Sequence, residues 1–280
     1  MEYQSRVVNN EIEITAYTGQ ESVVRVPAKI DALQVTSIGS KAFLSRDKIR
    51  ELSFPDGIRQ VGDWAFCHMK SLKTLSFSSF PAFGRQLFKG TEQIEAISFP
   101  GFQSEKAGRL LARLVWFWQA GFMRLQDYGE DAEGFFEEYD REFLRYLSEA
   151  NDKEYVPGFV GWFDDGDIDS KKAAFEKEII KRKIELAFVR LWAADEMECV
   201  CEEELRQYLI AHKEQVFEVL CEGPCTRTVD YFRIWEGLGG FEFVPASQYL
   251  EHMELPEPEV AAFLMSRQTK SNRFFDNLSL

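Results

Sequence analysis

"IRELSFPDGIRQVGDWAF" occupies residues 49–66, and its pattern returns along the chain. "LKTLSFSSFPAFGRQLF" follows at 72–88 and "IEAISFP" at 94–100, while an earlier copy, "VVRVPAKIDALQVTSIGSKAF", runs over 23–43. Phe54, Phe77 and Phe99 are 23 and 22 residues apart, and Phe43, Phe66 and Phe88 repeat the same spacing. Two anchor columns with one period identify stacked turns, because a single turn of this length cannot bury its own apolar face. The columns also account for a chain with 25 Phe against 6 Trp and 9 Tyr.

Each turn has a readable internal logic. Leu52 and Phe54 alternate with Glu51 and Ser53, which predicts a strand with one buried face. Pro55 has no N–H to donate and stops that strand. "VGDWAF" then turns the chain, with Gly62 expected to permit a tight bend and Trp64 and Phe66 expected to close the core. Leu52, Phe54, Phe66, Phe77 and Phe99 should share one continuous stack, as solenoid core and not as a ligand pocket. The same register points Val23 and Arg25, Glu51 and Ser53, Thr74 and Ser76, and Ala96 and Ser98 outward in two columns.

The pattern L-x-x-[LI]-x-F-P followed by [IV]-G-x-x-[AL]-F resembles the BspA-type bacterial leucine-rich repeats. Ile49, Leu52, Phe54, Pro55, Val61, Gly62, Ala65 and Phe66 carry it, and Ile38, Gly39, Ala42 and Phe43 match in the turn before. The opening "EIEITAYTGQESVVRVPAKIDALQVTSIG" is similar to the usual start of such an array. The third turn departs from the pattern, with Phe83-Gly84 for the Ile-Gly pair and Ser78 for the proline. The resemblance covers roughly residues 10–100 and implies protein–protein recognition, often adhesion at cell surfaces.

The remainder reads differently. Of the net charge of −14, residues 1–100 carry +1 and residues 101–280 carry −15. Phosphate contacts need Lys/Arg patches, so the acidic part excludes nucleic acid and anionic membrane as partners. The N-terminus has no apolar signal-peptide core, and the longest apolar run, 110–123, is too short to span a bilayer and contains Arg113. The expectation is a cytoplasmic protein with reduced thiols and no membrane insertion. After Pro100 helical spacing takes over. The segment from Glu105 reads as a helix sealing the open end of the solenoid, and 132–149 as a second helix. A third, over 171–194, has Phe175, Ile179, Ile184, Ala187, Phe188 and Leu191 on one stripe with Lys and Glu opposite. One more helix is expected over 202–220 on Leu205, Leu209, Val216 and Leu220, and shorter ones near 226–237, 245–253 and 257–267. Gln207-Tyr208-Leu209 and Gln248-Tyr249-Leu250 open two helix-turn-helix stretches similar to degenerate ankyrin repeats, though a generic helical cap has the same pattern.

Candidate chemistry is thin. Asp165, Asp167, Asp169 and Glu176 hold positions 1, 3, 5 and 12 of a calcium loop. Ser170 stands where that loop needs Gly, and Lys172 where it needs an aliphatic residue. Carboxylates near a helix start, favoured by the helix dipole, explain the stretch better. Cys199, Cys201, Cys221 and Cys225 could bind zinc, but C-x-C with C-x3-C is no common zinc spacing, and buried thiols are the plainer reading. "EGLGG" at 236–240 follows a helix, which suits a helix stop and not a nucleotide loop. His68, His212 and His252 have no recognisable catalytic partner.

The sequence therefore predicts an α+β chain: a short β-rich leucine-rich-repeat solenoid over 1–100 and an acidic all-helical domain over 101–280. The expected function is non-catalytic binding of another protein, with no cofactor implied. Arg25, Glu51, Ser53, Thr74, Ser76 and Ser98 are the candidate contact residues. A partner that also touches the acidic helical half should carry basic residues. The alternatives are an enzyme with a site where the halves meet and a metal-binding module using the 165–176 loop.

Overall fold

A computed structural model describes residues 2–91, 93–117, 124–151, 168–222 and 229–276. The chain packs as two units, Met1–Tyr139 and Asp140–Leu280. The period ends near residue 100, but the first packing unit runs on through the helices that follow it.

The first unit opens with a hairpin of β1 (Tyr3–Val8) and β2 (Glu11–Tyr17). Asn9 and Asn10 make its turn with φ of 51° and 62°, the paired left-handed geometry that matches the twist of antiparallel strands. The coil then winds through β3 (Val23–Arg25), β4 (Lys29–Ile30), β5 (Leu33–Ile38), β6 (Glu51–Phe54), β7 (Gln60–Val61), β8 (Thr74–Phe77), β9 (Ala82–Phe83) and β10 (Ala96–Ser98). One sheet has four strands in the order β10-β8-β6-β3, all parallel. A second has six, in the order β1-β2-β5-β7-β9 with β4 beside β5. The second sheet is a departure from the sequence reading, which treated "VGDWAF" as a turn. Two-residue strands such as β7 are too short to show alternation.

Between the sheets lies the expected stack. Phe77 lies over Phe99 at 5.0 Å with planes 7° apart, and Phe66 meets Phe88 at 5.6 Å. Leu52, Phe54, Phe66, Phe77 and Phe99 are all buried. The departing third turn keeps the architecture. Phe83 is buried at the place Val61 holds one turn earlier, and β9 pairs with β7. Ser78, in place of proline, donates its hydroxyl to the Phe54 carbonyl at 3.2 Å.

Two expectations for the turn are corrected. Gly62 is not there for a bend. Its φ is not in the left-handed region, and a Cβ on it would lie 2.5 Å from the Ser40 amide nitrogen. Gly84 stands in the same relation to the Asp63 nitrogen, also at 2.5 Å. Glycine is required because successive turns approach backbone to backbone. Trp64 does not close the core either. Its φ is 56°, and that conformation swings the side chain out to 38% exposure. There its Nε1 donates to Gln86 Oε1 at 2.7 Å, and Lys41 Nζ lies 4.8 Å from the ring centroid. Lys41, Trp64 and Gln86 form a column of left-handed residues at φ 61°, 56° and 51°. A ladder between turns offsets that strain: Phe43 N donates to Ala65 O at 2.9 Å, and one turn later Phe66 N donates to Leu87 O at 3.1 Å.

Ser104 starts α1 (Glu105–Phe117), its hydroxyl accepting from Ala107 N at 3.1 Å. The helix packs on β10, the last strand of the four-stranded sheet. Gly108 makes the approach close, since a Cβ there would lie 3.3 Å from the Ile97 carbonyl oxygen. α2 (Leu125–Tyr128) and α3 (Ala132–Ser148) follow, with Phe135 and Phe136 against Phe102.

The second unit contains the rest of α3, then α4 (Ile168–Trp192), α5 (Glu202–Ala211), α6 (Lys213–Glu222), α7 (Val229–Gly237), α8 (Gly240–Phe243), α9 (Ala246–His252) and α10 (Pro258–Asp276). α4 is central and packs on α5, α6 and α7. Ile179, Ile184, Ala187, Phe188 and Leu191 are buried as expected, with Phe175 half-buried. The cations of α4 are not all opposite that stripe, because Lys183 and Arg190 are buried too. The helix expected over 202–220 is two helices broken at His212, whose Nδ1 lies 2.9 Å from the Tyr208 carbonyl oxygen. "EGLGG" does stop α7, with Gly239 at φ 76°.

Candidate functional site

The outward columns form as the alternation predicted. Val23, Glu51, Thr74 and Ala96 are in register across the four parallel strands, and so are Arg25, Ser53, Ser76 and Ser98. Val23, Arg25, Glu51 and Thr74 are exposed. Ser53, Ser76, Ala96 and Ser98 are half-buried, because a short side chain between neighbouring strands is shielded by both. Ser53 Oγ leans on the Val24 carbonyl at 3.5 Å, and Tyr3 donates its hydroxyl to the Arg25 carbonyl at 3.1 Å, which fixes the edge strand β3. Α methyl on Gly108 would lie 3.4 Å from Ala96 Cβ, so α1 closes one side of the face. The eight side chains offer hydroxyl groups, one guanidinium, one carboxylate and two apolar groups. They hold neither a carboxylate pair nor a nucleophile with a base beside it, so their chemistry is hydrogen bonding, ion pairing and close approach of a partner to the backbone.

The acidic loop is described only in part. Asp165 and Asp167 lie outside the described residues, Asp169 is in the first turn of α4, and Glu176 pairs with Lys172 at 3.8 Å. The cysteines separate. Cys225 lies outside the described residues, and Cys221 is buried on α6 with its thiol pushed up to about 11 by burial. Cys199 and Cys201 stay together, their sulfurs 3.8 Å apart.

Beside them is a cluster the sequence reading missed. Asp140 and Arg190 form a fully buried bidentate pair, Nε to Oδ1 at 2.6 Å and Nη2 to Oδ2 at 3.0 Å. Val200 N donates to Asp140 Oδ2 at 2.9 Å, and Arg190 also donates to the carbonyls of Met197 at 3.0 Å and Glu198 at 2.6 Å. The α4–α5 connection is thereby tied to both charges. Asp140, Cys199 and Cys201 place one ligand atom each within 4.8 Å of one another. Three donors are one short of a closed tetrahedral zinc set, and both Asp140 oxygens are already engaged. The one signal in the sequence was Arg190 itself, seven residues after Lys183 along an otherwise apolar helix face.

Residues 12–108 match the family described as BspA type leucine rich repeat region, in six copies. That match lies on the solenoid and covers about a third of the chain. Two solved structures are similar to this chain. One is a leucine rich repeat protein of T. pallidum, 24% identical over 36% of this chain and 49% of that one, with a TM-score of 0.32. The other is a leucine rich cell surface protein of Faecalibacterium prausnitzii A2-165, 25% identical over 35% of this chain and 28% of that one, with a TM-score of 0.31. The match thus spans about half of the first protein and under a third of the second. No curated protein matches the chain. No described helix is long and apolar enough to cross a membrane.

Proposed function

We propose that this chain is a non-catalytic protein-binding module that docks its partner on the outward face of the four-stranded sheet. The observation that carries the reading is the register: two columns of mostly short side chains run unbroken across four parallel strands. Solenoid proteins use such surfaces for recognition. Short residues let a partner reach the sheet, and Arg25 and Glu51 at one end give it a polarity. The face is small. Four strands at about 4.8 Å spacing are roughly 15 Å wide, less than the ~800 Å² per partner of a standard interface. A tight partner therefore takes further area from elsewhere on the chain. Residues 101–280 carry a charge of −15, so a partner with basic residues gains from it, and its binding weakens as salt rises.

The test is direct binding of a purified partner, found by affinity capture, to the chain and to a Ser53→Arg, Ser76→Arg, Ser98→Arg variant. Three long cations along one column of the face should abolish binding while circular dichroism and melting stay as in the parent. Unchanged affinity of the folded variant refutes the sheet as the docking site.

A further inference from the structure

Cys199 and Cys201 differ from the other described thiols in having each other. Cys67 donates to the Lys89 carbonyl at 3.0 Å, and Cys221 is buried on α6. Cys199 and Cys201 flank one residue, Val200, whose amide is held by Asp140. Cys201 is fully buried, and Cys199 is half-buried. One sulfur of the pair can therefore meet a reagent from solvent while the other waits behind it at 3.8 Å. The connection that carries them, between Trp192 and Glu202, is turn structure outside the helices, so small side-chain rotations can close the remaining gap.

We propose that Cys199 and Cys201 are a reactive dithiol that low-molecular-weight disulfides oxidise to an internal disulfide, with Cys199 attacking and Cys201 resolving. The electrostatics divide the roles the same way. The hydrogen bond from Cys201 holds the Cys199 thiol below its ordinary value, against burial, and the Arg190 guanidinium adds to the effect while the Asp140 carboxylate opposes it. The same hydrogen bond, with burial, pushes Cys201 well up. A thiolate is the nucleophile in exchange, and a partly exposed one beside a cation is the kind that reacts. In the first step the Cys199 thiolate attacks one sulfur of the small disulfide. A mixed disulfide forms on Cys199, and one small thiolate leaves and is protonated. In the second step Cys201 gives up its proton to solvent and attacks Cys199 Sγ. The Cys199–Cys201 bond forms as the mixed disulfide breaks, and the second small thiolate leaves and is protonated from solvent. Overall one protein dithiol is oxidised and one small disulfide is reduced to two thiols. A resident cation fits the cluster less well. The Asp140 oxygens already accept three N–H groups, and a metal would sit beside the buried guanidinium of Arg190.

The experiment uses the full chain and oxidised glutathione as the probe. Trypsin leaves Cys199 and Cys201 together in one peptide, 191–206, apart from Cys67, Cys221 and Cys225. After exposure and acid quench, that peptide should be lighter by two hydrogens and carry no glutathione. In Cys201→Ser one glutathione should remain on Cys199, and in Cys199→Ser residue 201 should stay unmodified. Iodoacetamide should alkylate Cys199 about tenfold faster than Cys67 or Cys221 at neutral pH. A wild-type peptide that stays reduced, or that keeps its glutathione, overturns the proposal, and this readout needs no variant to fold. Added zinc retained at one ion per chain, with both cysteines shielded from alkylation, also overturns it in favour of a metal site.

Discussion

Phe54 and Phe77, 23 residues apart in sequence, stack with ring centroids at 4.8 Å and planes inclined by 11°. Each turn of the solenoid lays its ring on the ring of the turn before. Phe77 therefore touches Phe54, Phe66, Phe83 and Phe99 at once. Phe77→Ala removes the middle of the stack, and the turns cannot collapse into the void because the ladder holds their spacing. The expected loss is about 3–5 kcal/mol, read from urea unfolding followed by near-ultraviolet circular dichroism. A loss under about 1 kcal/mol is incompatible with this register.

Gly62 and Gly57 separate the two reasons for glycine. Gly57 has φ 91° and nothing within 4 Å of a Cβ, so Gly57→Ala meets backbone strain alone, about 1–2 kcal/mol. Gly62→Ala places a methyl group against the backbone of Gly39 and Ser40, at 2.9 and 2.5 Å, where no side chain can rotate away. It should cost more, about 3 kcal/mol. Thermal unfolding of the two variants ranks them, and the reverse order contradicts close stacking of the turns.

Asp140 and Arg190 have no solvent access. Removing one partner leaves the other charge buried, so Asp140→Ala should cost about 3–5 kcal/mol. The double variant Asp140→Leu, Arg190→Met leaves no stranded charge and should lose much less than the sum of the single changes. A double-mutant cycle measures this, and simple additivity would show that the pair is not coupled.

Lys183 makes stability depend on pH. Its ammonium donates to Glu149 O at 2.7 Å and Asn151 Oδ1 at 2.8 Å, and burial holds its pKa below the ordinary 10.5. Between the lowered value and 10.5 the unfolded chain binds the extra proton. The contribution of Lys183 to stability therefore rises with pH through that window. The unfolding free energy of the parent minus that of Lys183→Met should climb as pH rises through that window toward 10.5. A flat difference would mean the ammonium is not desolvated.

The sequence alone determined the solenoid, its period, the Phe columns and the outward register of Arg25, Glu51, Ser53, Thr74, Ser76 and Ser98. These follow from local rules repeated at fixed spacing, and repetition turns a weak signal in one turn into a strong one across several. Tertiary structure alone decided the second sheet, because β7 is a strand only through pairing with β5 and β9, and β9 only through pairing with β7. It decided that Gly62 serves contact and not curvature, since the atoms it must avoid belong to residues 39 and 40. It also sent Trp64 outward by a left-handed backbone that no side-chain pattern encodes. Asp140, Arg190 and the Cys199–Cys201 pair became a cluster for the same reason. Their partners lie 50 and 60 residues apart in sequence, and a buried charge is tolerated only where folding delivers its counter-charge.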